Sequence, residues 1–342
     1  MEKQIEGAFF KNMKKLYTLT LLLACFAMIL AGCSDKGDAK ESNELEEISI
    51  MLDWYPNAVH SAIYVAKEKG YFEDVGLDVE IIMPADTNDP LKLAATGKVD
   101  LAISYQSQLL VSRAEDIPVI SVAALVRHSL DAIMYKEESG IQSPKDLEGK
   151  RVGYPSTTVS EAIVATMVAH DAGDVQQVKM TDVGWDLMPS LATDQVDAVV
   201  GAYINHEMVL LEKEGYKIDL LKLDDYGVPD GYELVVVTGE KTLDKKKEQI
   251  TKFWQAVAKG HEDVKSNPDA GLEVLFNHEN DSFPLDLDVE KESLNVLLPL
   301  MEDDGVKFGQ QEQDSWDKTA DWLYETGVIK VKLDASEAFV NL

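Results

Sequence analysis

Residues 95–104 (ATGKVDLAIS) and 192–201 (ATDQVDAVVG) repeat one pattern: a helix end, a turn into Val-Asp, an apolar strand, and soon after it a tyrosine, Tyr105 or Tyr203. Around both copies, short apolar runs alternate with helical stretches. The runs at 48–52, 77–83, 101–104, 117–126 and 132–135 read as strands of a first series. Those at 151–154, 179–183, 198–200 and 218–223 form a second, and 234–237 reads as one more buried strand. Between them, 59–69, 91–96, 159–172, 187–193 and 204–213 read as helices. Strands alternating with helices predict βαβ units and a mostly parallel sheet. The repeat then means one structural role played once in each of two lobes. The expected class is α/β, with two lobes that each carry a mostly parallel central sheet flanked by helices. Lobe 1 is expected at 47–138 and 232–342, and lobe 2 at 139–231. From Lys245 onward the pattern is helical, with Pro268 at a helix start.

The N-terminus reads as an address. Lys14 and Lys15 precede an apolar run from Leu16 to Leu30, shorter than the roughly 20 residues that span a bilayer. Leu30-Ala31-Gly32-Cys33 looks like a bacterial lipobox, which implies cleavage before Cys33 and lipidation of its thiol. Residues 1–32 are then a signal peptide and 33–46 a polar tether. Several acyl chains hold a membrane stably, so the expected location is the extracytoplasmic face of the cell membrane. Cys25 leaves with the leader, and the body has no cysteine for a disulfide or a thiolate metal site.

Charge and motifs narrow the function. The chain holds 32 basic and 62 acidic residues, a balance that repels nucleic acid. Three His-Glu pairs occur, but the residues four beyond each histidine are Leu210, Lys265 and Ser282, so none builds the two-histidine face of a zinc protease. Gly-x-Ser-x-Gly and phosphate-loop patterns are absent. The expectation is a binder without catalytic residues, metal or cofactor.

Ligands of open parallel sheets sit beyond the carboxyl ends of the strands. That rule selects the candidates. After the first strand come Trp54, Asn57 and His60, two flat or polar surfaces with an amide; Asn57 as a helix cap and His60 as core are the plainer readings. Tyr105 and Gln106 follow the first copy of the repeat, and Tyr154, Ser156 and Thr157 hold the same place in lobe 2. Trp185 follows another strand, and Tyr203 and Glu207 follow the second copy. A cleft carboxylate accepts from an amino-pyrimidine or amide, though Glu207 also suits a first-turn helix acid. Tyr232 and Glu233 mark the return to lobe 1 as rim or hinge residues.

At these residues the chain resembles the NMT1/thiamine-pyrimidine-precursor group of ABC substrate-binding proteins, from about Ile48 to Thr326. The resemblance rests on LDWYPNAVH (52–60), AKEKGYFEDVGLDVEI (66–81), VDLAISYQ (99–106), KRVGYP (150–155), VDAVVGAYINHE (196–207) and DDYGVPDGYELVVVT (224–238). It implies a type II periplasmic-binding-protein fold that delivers a formylated aminopyrimidine to ABC permease and ATPase subunits. By the same resemblance Trp54 and Tyr105 would meet the ring, and Asn57, Tyr203 and Glu207 would bond its polar groups, with Ser156 and Thr157 nearby. The chain departs from the group at Pro155–Thr158, where a Pro-Gly-type loop is common, and at His60–Ala62, where His-Thr-Gly is common. Riboflavin, another planar heterocycle or a sulfonate are alternative ligands. An enzymatic alternative is the eukaryotic pyrimidine synthase branch, which uses a cysteine-rich iron motif.

Overall fold

The computed structural model describes residues 45–157, 159–279 and 282–342. The expected signal peptide, lipidated Cys33 and nearly all of the tether lie outside the described residues, as does Thr158. The first strand begins at Glu46, the last position assigned to the tether.

Ten strands form two five-stranded sheets. In chain order they are β1 (Glu46–Met51), β2 (Leu77–Ile82), β3 (Leu101–Ser104), β4 (Val119–Val126), β5 (Asp131–Lys136), β6 (Arg151–Tyr154), β7 (Lys179–Asp182), β8 (Ala198–Tyr203), β9 (Ile218–Lys222) and β10 (Leu234–Gly239). The first sheet runs β2-β1-β3-β10-β4 and the second β7-β6-β8-β5-β9. β1 pairs in parallel with β2 and β3, and β6 with β7 and β8. β10 opposes β3 and β4, while β5 opposes β8 and β9. Each sheet is thus parallel but for one strand, and that strand is the one that has just crossed from the other sheet.

This topology moves one expected boundary. The strand at Asp131–Lys136 belongs to the second sheet, not to the first part of lobe 1, so the first crossing falls at 127–130 rather than 138. An apolar run shows that a strand is buried, not which sheet buries it. The break that matters is Arg127-His128-Ser129, a polar interruption between two apolar runs.

The two copies of the repeat occupy the same central place, as β3 and β8. Their aspartates share a task. Asp100 accepts from the backbone N–H of Ser49 on β1 (3.0 Å), and Asp197 accepts from that of Arg151 on β6 (2.8 Å). Each carboxylate thereby fastens the entry of a central strand to its parallel neighbour. Side-chain bonds from Arg151 hold the Asp197 carboxyl below its usual range.

Helices cover the sheets: α1 (Ser61–Glu68), α2 (Tyr71–Asp74), α3 (Asp89–Ala95), α4 (Gln106–Ala114), α5 (Ser160–His170), α6 (Leu187–Ala192) and α7 (Glu207–Lys213). The C-terminal tail adds α8 (Glu240–Ser266), α9 (Pro268–Phe276), α10 (Leu287–Met301) and α11 (Gln313–Glu325). No described helix is long and apolar enough to cross a membrane. α8 crosses α1 closely, because a Cβ added at Gly260 would lie 2.2 Å from the carbonyl oxygen of Ala62. Backbone cannot yield as a flexible side chain can. Gly260→Ala is therefore expected to cost about 1–3 kcal/mol, read as a lower urea midpoint at unchanged slope.

Candidate functional site

The carboxyl ends of β3 and β8 open onto one chamber, where Tyr105 and Tyr203 stand. Two adjoining cavities, about 520 and 760 Å³ with their solvent-open space, share Tyr105, Pro155, Thr157, Gly201 and Tyr203 as walls. Gly201 has φ +88°, and a Cβ there would sit 2.7 Å from the Pro155 ring. The close approach of β8 to the loop after β6 therefore requires glycine.

The smaller cavity is lined by Asp53, Trp54, Asn57, Asn205, His206 and Glu207 among others. Asp53 follows β1 and bonds His60 Nε2 at 2.9 Å, while His60 Nδ1 accepts from the Asn57 N–H at 3.2 Å. Those two bonds set the tautomer: Nε2 carries the proton and donates to Asp53. His60 is fully buried and stands behind the wall, as a support for Asp53. Asn57 Oδ1 caps the N–H of Val59, and its Nδ2 donates to the carbonyl of Tyr55. The capping role foreseen as the plainer reading thus occupies both ends of that amide, although Asn57 still forms part of the wall.

His206 bridges two carboxylates. Its Nδ1 lies 3.2 Å from Glu207 and its Nε2 3.3 Å from Glu290 on α10. Glu290 also accepts from the N–H of Ala58, at the turn leading into α1 (2.7 Å). Burial opposes the imidazolium, yet the charges and bonds of Glu207 and Glu290 raise its pKa to about 10. The result is a buried acid–base–acid bridge from α7, beside the second sheet, to α10 and the turn before α1. Glu207 accepts from the Tyr203 N–H (2.9 Å), which explains why α7 starts at Glu207 and not at 204. Asn205 donates to Ser293, and its Oδ1 is buried with no hydrogen-bond partner among the described residues.

The larger cavity lies beside the two crossings. Asp131 there accepts from the Gly201 N–H (2.6 Å). Glu233 accepts from the N–H groups of Leu130 and Asp131 and from the hydroxyls of Ser129 and Tyr203. One carboxylate thus ties the outgoing crossing to the returning one. Burial, with the charge of Glu233 added, pushes the Asp131 carboxyl well above its usual range, and burial also raises Glu233. Burial and neighbouring carboxylates push both Tyr105 and Tyr203 well up, so their hydroxyls keep their protons.

Aromatic rings close the outer side. Trp54 meets Trp185 with ring centroids 3.8 Å apart, and Tyr55 stacks on Phe283 at 4.7 Å and 5°. Trp185 comes from the loop after β7, so this contact joins the two lobes.

Of the residues expected from sequence, Trp54, Asn57, Tyr105, Gln106, Thr157, Tyr203, Glu207 and Tyr232 come together around the chamber. Gln106 is largely committed, with Oε1 accepting from the Tyr232 N–H and the Thr319 hydroxyl. Tyr154 and Ser156 are not part of either wall. The Ser156 hydroxyl instead donates to Asp182 at 2.6 Å, because its positive φ of 61° turns the side chain toward the end of β7. Trp185 contacts Trp54 rather than lining either of these two cavities. Asp53, Asp131, Asn205 and His206 are not selected by sequence reasoning. Asp53 carries the needed signal, being a carboxylate just beyond a strand end.

Comparison with known proteins places this architecture. The family model described as NMT1/THI5 like matches residues 57–271. The formylaminopyrimidine-binding protein of Halalkalibacterium halodurans is 42% identical over 331 residues, covering 96% of this chain and 99% of that one. The chain belongs to the NMT1/THI5-like family. Within this family the chain is also similar to the 4-amino-5-hydroxymethyl-2-methylpyrimidine phosphate synthase THI11 of Saccharomyces cerevisiae, at 26% identity over 65% of this chain and 68% of that one. The crystal structure of the periplasmic aliphatic sulphonate binding protein SsuA from Escherichia coli superimposes with a TM-score of 0.68 at 15% identity, over 86% of this chain and 97% of that one. The fold of this NMT1/THI5-like chain is therefore the periplasmic-binding-protein fold expected from the resemblance.

Proposed function

We propose that this chain is the extracytoplasmic, lipid-anchored substrate-binding protein of an ABC importer, and that it captures a thiamine pyrimidine precursor of the formylaminopyrimidine type. One observation carries the ligand class. The smaller cavity joins aromatic surface from Trp54 and Tyr105 to an acceptor-rich wall of Asp53, Glu207 and the unpaired Asn205 Oδ1. An ionised carboxylate only accepts and has about four lone-pair sites, so bonds to His206 and Tyr203 leave Glu207 capacity for more. A flat ring with exocyclic N–H groups fits such a wall. The likeness to a formylaminopyrimidine-binding protein supports the same reading. The two crossings beside the larger cavity are the segments about which the lobes would close on the guest.

The acceptor wall also argues against a sulfonate guest. An anion would face Asp53 and Glu207, and the nearby cation, His206, is already shared between Glu207 and Glu290. Binding by the folded state alone stabilises it by about 2.7 kcal/mol at 100 times Kd. Formylaminopyrimidine is therefore expected to raise the thermal midpoint clearly, and an alkanesulfonate to leave it unmoved. A shift with riboflavin and none with any pyrimidine would replace the ligand. Release of a pyrimidine product by the purified protein would replace the binder with a synthase.

A further inference from the structure

The larger cavity exceeds what a single small ring in the smaller one would use. The two share Tyr105, Pro155, Thr157, Gly201 and Tyr203, so a guest seated against Asp53 and Glu207 has open space beyond the tyrosine pair. That space has two unlike sides. Ile163 on α5, Leu223, Val228 and Trp322 on α11 supply apolar and aromatic surface. Asp131 and Glu233 supply carboxylates, and no lysine, arginine or histidine lines the cavity among the described residues. The basic residues of the adjoining crossing are spent elsewhere, Arg127 on Asp303, Glu312 and the Gln310 carbonyl, and His128 on Asp230 and Asp303.

We propose that the larger cavity is a second subsite of the same chamber, and that it takes a flat, positively charged ring joined to the aminopyrimidine. The proposal rests on the functional reading above for the place of the pyrimidine. A delocalised cation is weakly hydrated, so it gives up water readily and gains from both an aromatic face and a carboxylate. A neutral substituent gains only from the apolar side. Burial holds the Asp131 and Glu233 carboxyls toward their protonated forms in the empty chamber; a cation beside them draws them into the ionised form, and an anionic substituent gains nothing from them. The Gly201 N–H holds Asp131 Oδ1, and the Leu130 and Asp131 N–H groups hold Glu233, so both acids are oriented before a guest arrives. The subsite thereby extends the ligand class from one-ring precursors to two-ring aminopyrimidine cations.

Thiamine, an aminopyrimidine joined through one carbon to a thiazolium ring, is the probe. Titration calorimetry would compare thiamine with formylaminopyrimidine on the wild-type protein, on Ile163→Trp and on Asp131→Asn. Ile163 is only half-buried on α5, so a larger ring there extends into the cavity rather than into the core. The amide of the second variant would keep an oxygen for the Gly201 N–H while being unable to ionise beside a cation. The expected result is that wild-type protein binds both compounds and that each variant weakens thiamine by about tenfold or more while formylaminopyrimidine binds as before. Absence of thiamine binding to the wild-type protein overturns the subsite, as does thiamine affinity that survives in both variants. Equal weakening of both compounds overturns it too, because the two would then share one place. Loss of formylaminopyrimidine binding to the wild-type protein would instead reject the functional reading, a separate outcome.

Discussion

Asp53→Asn is expected to weaken capture of formylaminopyrimidine by about ten- to a hundredfold, the range of a lost hydrogen bond to a charged group at about 1.5–3 kcal/mol. The substitution is nearly isosteric. Its remaining carbonyl oxygen still accepts from His60 Nε2, whose tautomer is set on the other side by the Asn57 N–H. The turn at 57–60 therefore keeps its geometry, and the empty variant should unfold near the wild-type temperature. What changes is the charge facing the guest, together with a new N–H pair where an acceptor stood. Calorimetry on folded variant protein reads the effect directly. Unchanged affinity would remove Asp53 from recognition and leave it as the anchor of His60 alone.

His206→Gln should alter the pH dependence of stability. The imidazole loses its proton near 6.5 when unperturbed and near 10 in the folded protein, where Glu207 and Glu290 outweigh the burial that opposes its charge. Between those values the folded state binds more protons than the unfolded chain. The contribution of His206 is therefore complete below pH 6.5, declines by up to about 1.4 kcal/mol per pH unit above it, and is gone beyond pH 10. Asp131 and other groups add slopes of their own, so the informative quantity is the difference between wild-type and variant protein. Urea unfolding at pH 6, 7, 8 and 9 is expected to give a variant about 3–5 kcal/mol less stable at the acid end, because Glu290 is left buried without its partner. The gap should narrow steadily toward the alkaline end. A gap independent of pH would mean that His206 is neutral in the folded protein.

Most of the ten strands are legible as apolar runs, the exposed edge strand β7 (Lys179–Asp182) being the clearest exception, and the repeat at 95–104 and 192–201 locates the central strand of each sheet. The reason is physical: buried parallel strands are apolar on both faces and stand out against polar turns. Strand ends then point to Trp54, Tyr105, Tyr203 and Glu207. Asp131 escapes because the rule concerns carboxyl ends, whereas Asp131 opens its strand. β5 runs against its neighbours, and Asp131 pairs with Tyr203, so the start of one lies at the same rim as the end of the other. Glu233, just before antiparallel β10, sits at the same kind of rim in the first sheet, but it is legible because it marks the return of the chain to lobe 1. Asn57 and Gln106 carry the right functional groups, but spacing cannot tell whether a backbone N–H has already claimed them. Ser156 turns from the chamber for a local reason, since its positive φ aims the hydroxyl at Asp182.

The position of β10 has a consequence for how the chain assembles. It lies between β3 and β4, so these two strands of the first sheet have no bridge until residues 234–239 exist. The second sheet needs only 131–222, one unbroken stretch. As the polypeptide lengthens, the half encoded later is the one able to complete itself first, while the earlier half waits for a single late insertion. Long-range closure of this kind is slow, and a chain cut short before Leu234 would strand the opening segment with two unsealed edges.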